Sequence, residues 1–141
     1  MKLIRSISGI RGIIGKNFDA SIATKYVQSF CSVQSTNKPI IISRDTRNQG
    51  YQIAESIKKS IISLGIDVYD IGISPTPVIQ YLTKSLGCGG GIMITASHNP
   101  EEWNGLKFID SDGCFIDKQK NSNLFLNVDK KNLTSSNGTA K

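Results

Sequence analysis

A chain of 141 residues, 38% hydrophobic and 20% charged, suits a single domain that can bury a real core without disulfide staples. Seventeen Lys and Arg against eleven Asp and Glu leave a net charge of +6, which could attract nucleic acid, a membrane surface or a small anion. The basic residues are dispersed, and the densest pairs, Lys58-Lys59 and Lys130-Lys131, have no interleaved aromatics on which bases would stack, so nucleic acid is not an expected partner.

Residues 2–14 alternate poorly and carry Gly9, Gly12 and Gly15, which predicts a bent strand or a hairpin. Asp19 has N-cap chemistry, and Ala20, Ala23, Val27 and Phe30 follow at helical spacing to about Gln34. PIII, residues 39–42, reads as a short buried strand. Residues 51–64 place Ala54, Ile57, Ile61 and Leu64 on one helical face, and Gly65 stops the helix. DVYDIG, residues 67–72, is a second strand. Thr76 with Pro77 predicts an N-cap and N1 pair; Val78, Leu82 and Leu86 share the face of that helix, and Gly87 closes it. GIMIT, residues 91–95, is a third strand. After Lys107 a strand, the turn Ser111-Asp112-Gly113 and then CFI predict a hairpin at one edge. Asp117 caps a last helix to about Val128, and residues 131–141 are expected to form a polar, fraying tail. Strands alternating with helices predict an α/β domain over residues 1–130, three-layer α/β/α, with a mainly parallel mixed sheet and an edge hairpin.

Cys31, Cys88 and Cys114 are odd in number and show no C-x-x-C spacing, so neither a disulfide framework nor a zinc site is indicated and a reducing, cytoplasmic setting is expected. The start, MKLIRSISGIRG, lacks the apolar run of a secretory signal, and no run approaches the roughly 18 apolar residues of a membrane span.

ITASHNPEEWNGLKFID, residues 94–110, concentrates polar groups between apolar ends. Ligands of open α/β sheets sit outside the carboxyl ends of strands, and Ala96-Ser97-His98 leaves such an end. The loops holding Asp45, Thr46 and Arg47 and residues 74–76 should meet there too. A serine hydrolase is disfavoured, because His98 is the chain's only histidine, is adjacent to Ser97, and no G-x-S-x-G elbow is present. The other use of an exposed serine at this place is to carry a phosphoryl group, a chemistry that needs positioning and positive charge. Arg11, Arg44, Arg47 and Lys107 could supply charge, and His98 could donate to a phosphate or move a proton. Each residue also has a plainer role. Arg44-Asp45-Thr46-Arg47 would be a salt-bridged start of a helix, Asn104-Gly105 a turn, and Lys107 a water-facing residue of an edge strand. The glycine run at 87–91 precedes a strand, unlike a phosphate loop, and Asp110-Ser111-Asp112-Gly113 lacks the pattern of a calcium loop.

Taken together, these residues resemble the α-D-phosphohexomutase superfamily. TASHNP at 95–100 matches its phosphoserine loop and NGLK at 104–107 follows at the family distance. SGIRG at 8–12 is similar to the N-terminal arginine loop, RDTR at 44–47 to the motif after the first buried strand, and SPTPV at 74–78 to a further motif. The resemblance spans about residues 3–128, the first of the family's four domains. It implies that Ser97 carries a phosphoryl group, gives it to the free hydroxyl of a hexose phosphate, and takes back the other phosphate of the bisphosphorylated sugar. It further implies that Arg11, His98 and Lys107 contact the phosphoryl group or handle the proton, making these four residues both catalytic and substrate-binding. Mg²⁺ would be held by the phosphate on Ser97 and by a D-G-D-x-D-R motif, which this chain does not contain. The expected partners are the sugar phosphate and the missing domains II–IV, without which the chain is expected to be inactive. A non-catalytic phosphosugar-binding module is the alternative.

Overall fold

The computed structural model describes residues 2–7 and 9–138, with side chains to Lys131. The elements run β1 (Ile4–Ser6), β2 (Gly9–Ile13), α1 (Ala20–Gln34), β3 (Ile40–Arg44), α2 (Gly50–Ser63), β4 (Val68–Ile73), α3 (Thr76–Ser85), β5 (Gly90–Ile94), β6 (Trp103–Asp110) and α4 (Lys118–Gly138). Ser8 of SGIRG and residues 139–141 of the expected tail lie outside the described residues.

The run IIISR shows no alternation because both of its faces are covered. Ile40 and Ile42 join Ile92, Ile94, Leu106 and Phe108 in a core closed by α1, α2 and α4. Ile41 points the other way, with Met93 and Ile109, toward Ile79 of α3. A strand buried on both faces requires helices above and below it, which gives the expected three-layer α/β/α architecture. The sheet order is β1-β2-β6-β5-β3-β4. The strands β5, β3 and β4 are parallel, whereas β1, β2, β6 and β5 pair antiparallel.

The edge hairpin is β1–β2. The strand through Lys107 is not at an edge: β6 lies between β5 and β2, and its return is reduced to a single bridge, Ile109–Phe115. Leu106 and Phe108 fill one face of β6 and Ile109 the other, so it needs neighbours on both sides. Two helix readings also change. In α3 the buried residues are Ile79 and Thr83, while Val78 is 40% and Leu86 51% exposed. Hydrophobicity alone picks the wrong stripe because Thr83 is tolerated inside by donating its hydroxyl to the Ile79 carbonyl at 2.7 Å. The helix begins at Thr76 after an N-cap at Pro75, without a side-chain cap bond. The last helix runs past Val128 to Gly138, since propagation adds one hydrogen bond per residue and needs no apolar stripe.

Asp19 caps α1 as expected, accepting from the Ile22 amide at 2.8 Å, and Asp117 accepts from the Lys120 amide at 2.8 Å. At the amino end of the parallel strands, Asp110 accepts from Gln34 Nε2 at 2.9 Å and Lys120 Nζ at 3.0 Å. This ties β6 to the end of α1 and the start of α4. Partial burial works against the Asp110 carboxylate, but the bonds from Gln34, Lys120 and the Ser111 amide outweigh it and hold the group below its ordinary value. With the folded value depressed, the stabilisation is complete above about pH 4 and is lost as pH falls through the folded value. Asp110→Asn is therefore expected to flatten the acid side of the stability profile, costing about 1 kcal/mol or less at neutral pH because the pair is partly solvated. Urea melts across the acid range check this.

Candidate active site

The strand β5 ends at Ile94, and Thr95 and Ala96 are still buried. Ser97 is exposed and adopts a left-handed backbone, φ +55°. Such a conformation at a non-glycine residue costs about 1–3 kcal/mol and persists only where its surroundings enforce it. The enforcing groups come from the loop after β3. Thr95 Oγ1 accepts from the Ser97 amide at 2.9 Å and donates to Asp45 Oδ2 at 2.6 Å. Arg47, its side chain only 8% exposed, pairs with Asp45 at 3.3 Å. Its Nη2 donates to the carbonyls of Ser97 and Asn99, both at 2.8 Å. Its Nη1 donates to those of Pro100 at 2.6 Å and Trp103 at 3.1 Å. Hydrogen bonds to a charged group are worth about 1.5–3 kcal/mol each, enough to offset the strain at Ser97.

The opposite wall is the seam between β2 and β6. Gly9 faces Lys107 and Arg11 faces Gly105 in its register. Asn104-Gly105 is thus part of a strand and not a turn. A Cβ on Gly105 would strike the Ile10 carbonyl and sit 3.0 Å from Arg11 Cα, and one on Gly9 would strike the Leu106 carbonyl. Glycine at both places lets the two strands close up. Arg11 then reaches over the loop, Nη1 donating to Asn99 Oδ1 at 3.0 Å. Lys107 is half-buried, its Nζ 5.6 Å from the ring centroid of Phe115.

Ser97, Arg11 and Lys107 line one cavity of about 260 Å³, together with Ser6 and Gly9. Two cations and two serine hydroxyls, with no carboxylate on the wall among the described residues, suit a phosphate-sized anion. His98 is exposed and is not on that wall; among the described residues its ring has no hydrogen-bond partner. Of the other expected cations, Arg44 lies over Tyr51, 5.4 Å from the ring centroid, and Arg47 is consumed beneath the loop. The loops after β3 and β4 do meet, with the Ser74 amide donating to the Arg44 carbonyl at 3.1 Å and the Ser43 and Ser74 hydroxyls 2.7 Å apart, but residues 74–76 do not reach the cavity.

Sequence reasoning missed Thr95 and Asn99 as holders of the site; of its two readings of Arg47, the ion pair agrees with the structure and the free charge on the cavity wall does not. The available signal was Asp45-x-Arg47 directly after a buried strand, where an ion pair is expected; what it would clamp was not visible. The cavity does not fit Mg²⁺ by itself. That ion wants several oxygen ligands in near-octahedral array, whereas the wall offers two serine hydroxyls among cations, and no cluster of three His, Cys, Asp or Glu occurs among the described residues.

The domain is thus an open α/β sheet covered on both faces, with a basic, serine-bearing cleft at the carboxyl end of its strands. Residues 2–134 match the family model described as phosphoglucomutase/phosphomannomutase, alpha/beta/alpha domain I, and the chain belongs to that family. It is 41% identical over 132 residues to a phosphoglucosamine mutase of Prochlorococcus marinus subsp. pastoris, covering 94% of this chain and 29% of that protein. It is 37% identical over 116 residues to a phosphoglucosamine/phosphogalactosamine mutase of Sulfurisphaera tokodaii, covering 82% and 26%. A putative phosphomannomutase of Thermus thermophilus superposes with a TM-score of 0.84 at 25% identity, over 89% of this chain and 30% of that one. The chain thus spans less than a third of the length of these relatives.

Gly105→Ala is expected to force β2 from β6 and destabilise the fold by about 1–3 kcal/mol, read in denaturant melts. Arg11→Ala and Lys107→Ala should each weaken binding of inorganic phosphate by about tenfold, the loss of one charge-assisted bond. Phosphate titrations followed by amide NMR check this.

Proposed function

We propose that this chain is the phosphoserine-bearing first domain of a phosphohexomutase. The observation that carries the reading is Ser97 held on a left-handed backbone at the carboxyl edge of the sheet, facing Arg11 and Lys107 across one cavity. Family membership supports the mutase class, and the names of relatives such as that of Prochlorococcus marinus favour a hexosamine phosphate as substrate.

In this reading the bond between Ser97 Oγ and phosphorus breaks as a sugar hydroxyl attacks in line. The hydroxyl proton passes to a neighbouring base, a role for His98, and is delivered to the departing Ser97 Oγ, while Lys107 stays an ammonium. The sugar now bears two phosphates. Transfer of the other one back to Oγ re-forms the seryl phosphate and leaves the isomeric monophosphate, so no phosphate is gained or lost. Arg11 and Lys107 offset the charge of the transferring group, which is the main demand of phosphoryl transfer. Mg²⁺ would supply further charge neutralisation, but only with carboxylates that this chain does not bring to the cavity, and no step here depends on it. The grip on the sugar and on its distal phosphate would also come from other domains, so the isolated chain should hold phosphate without turning over.

The test is a chimera in which residues 2–134 replace the first domain of the Prochlorococcus enzyme, assayed with glucosamine, glucose and mannose phosphates, a bisphosphate activator and Mg²⁺. Turnover is expected from the chimera and none from the isolated chain. Ser97→Ala should lower kcat about 10⁴-fold or more; near-normal turnover by that variant would end the proposal.

A further inference from the structure

We infer that Arg47 is a positioning residue of the site: its guanidinium fixes the Ser97 backbone and so sets the direction in which Oγ enters the cleft. As a statement about transfer, the inference rests on Ser97 being the phosphoryl carrier; as a statement about the loop, it stands alone.

All three guanidinium nitrogens are engaged. The four carbonyls they reach belong to Ser97, Asn99, Pro100 and Trp103, so the clamp grips the chain on both sides of His98. Its counter-ion, Asp45, receives the Thr95 hydroxyl, which in turn accepts from the Ser97 amide. One ion pair therefore ties Ser97 at its amide and at its carbonyl, although neither Arg47 nor Asp45 lines the cavity. The same clamp places Asn99, whose side chain holds Arg11. Serine and the cation that faces it are thus set by one group. A lysine would keep the charge but could not serve, since an ammonium is a compact point charge and cannot span four separated carbonyls. A positively charged guanidinium with this many carbonyl acceptors also needs no phosphate to be satisfied, so it forms the site in advance of the ligand.

The first arm of the test uses this chain. Amide exchange and NMR shifts of Ser97 and Asn99 are compared in the unaltered chain, Arg47→Gly and Arg47→Lys, without and with millimolar guanidinium or methylammonium ion. Loop amides are expected to exchange about tenfold faster or more in both variants, while strand amides such as those of Ile92 and Phe108 hold. Guanidinium, not methylammonium, should return the Arg47→Gly signals to their original positions. Should Arg47→Gly fail to fold, Arg47→Lys with its Asp45 pair intact carries the comparison. Unmoved Ser97 and Asn99 signals, or general melting that guanidinium does not reverse, would overturn the inference. The second arm places Arg47→Lys in the chimera: kcat should fall about 100-fold, as for a misplaced reacting group, with KM little changed. A rise in KM alone would show a binding role and overturn positioning. Turnover surviving in Ser97→Ala would instead sink the carrier reading and leave the loop result untouched.

Discussion

The ion pair of Arg47 with Asp45 lies under the loop that leaves β5, and the polar end of the molecule is arranged around it. The loop turns left-handed at a serine, runs through an exposed histidine and a proline, and enters β6 at Trp103. Such a path leaves several carbonyls outside any ladder, those of Asn99 and Trp103 bonded in partly buried surroundings and those of Ser97 and Pro100 in exposed ones. An unsatisfied buried carbonyl costs about 1–3 kcal/mol. One planar guanidinium supplies donors to four of them, and Asp45 keeps that charge from standing alone in a partly dry place. The cost of burying an ion pair is recovered because the geometry saturates both partners, the condition under which such pairs are tolerated.

The rest of the fold allows the strain at Ser97. The two cores meet at β3, β5 and β6, whose side chains alternate between α1, α2 and α4 on one side and α3 on the other. The Asp110, Gln34 and Lys120 cluster closes the amino end of the parallel strands, far along β5 and β6 from Ser97. Rigid packing and satisfied pairs at that end leave the other free to hold a loop shaped by function, the usual division of labour in open α/β sheets. The antiparallel half of the sheet is equally necessary. Without β2 beside β6 no arginine would stand opposite the serine loop, and without Gly9 and Gly105 the two strands could not approach.

The net charge of +6 is thereby resolved into separate roles. Arg5 lies against Tyr26 and Phe125 and pairs with Asp129, which raises its pKa, chiefly through the bond to Asp129. Lys58 bridges Glu55 and Asp70, and Lys120 holds Asp110. Among the described residues, only Arg11 and Lys107 of the arginines and lysines line the cavity with Ser97. A composition-level excess of positive charge thus has a local chemical meaning at two positions and a structural one at Arg5, Arg44, Arg47, Lys58 and Lys120.

Much of this is legible in the sequence, for physical reasons that differ by residue. The caps Asp19 and Asp117, the stop of α1 near Gln34 and the buried strand at Ile40 depend on contacts within a few residues, so local chemistry determines them. The polar loop after GIMIT is marked by its position at a strand end, and its chemistry points to Ser97 as a carrier, but Arg11, Arg44, Arg47 and Lys107 read alike as sources of charge, and only the family resemblance narrows them to Arg11 and Lys107, with His98 beside them. The stripe of α3 is misread because a threonine that satisfies its own hydroxyl can be buried while a valine is left outside. The Asn104-Gly105 pair reads as a turn because nothing in its neighbourhood announces that β2, almost a hundred residues earlier, will lie against it. Arg47 reads as a source of charge for a ligand because an arginine looks alike in sequence whether it points out or in. Sequence determined which groups exist and which local elements they form. Tertiary structure alone decided which backbone lies within 3 Å of which guanidinium, because long-range pairing, not local preference, sets those distances.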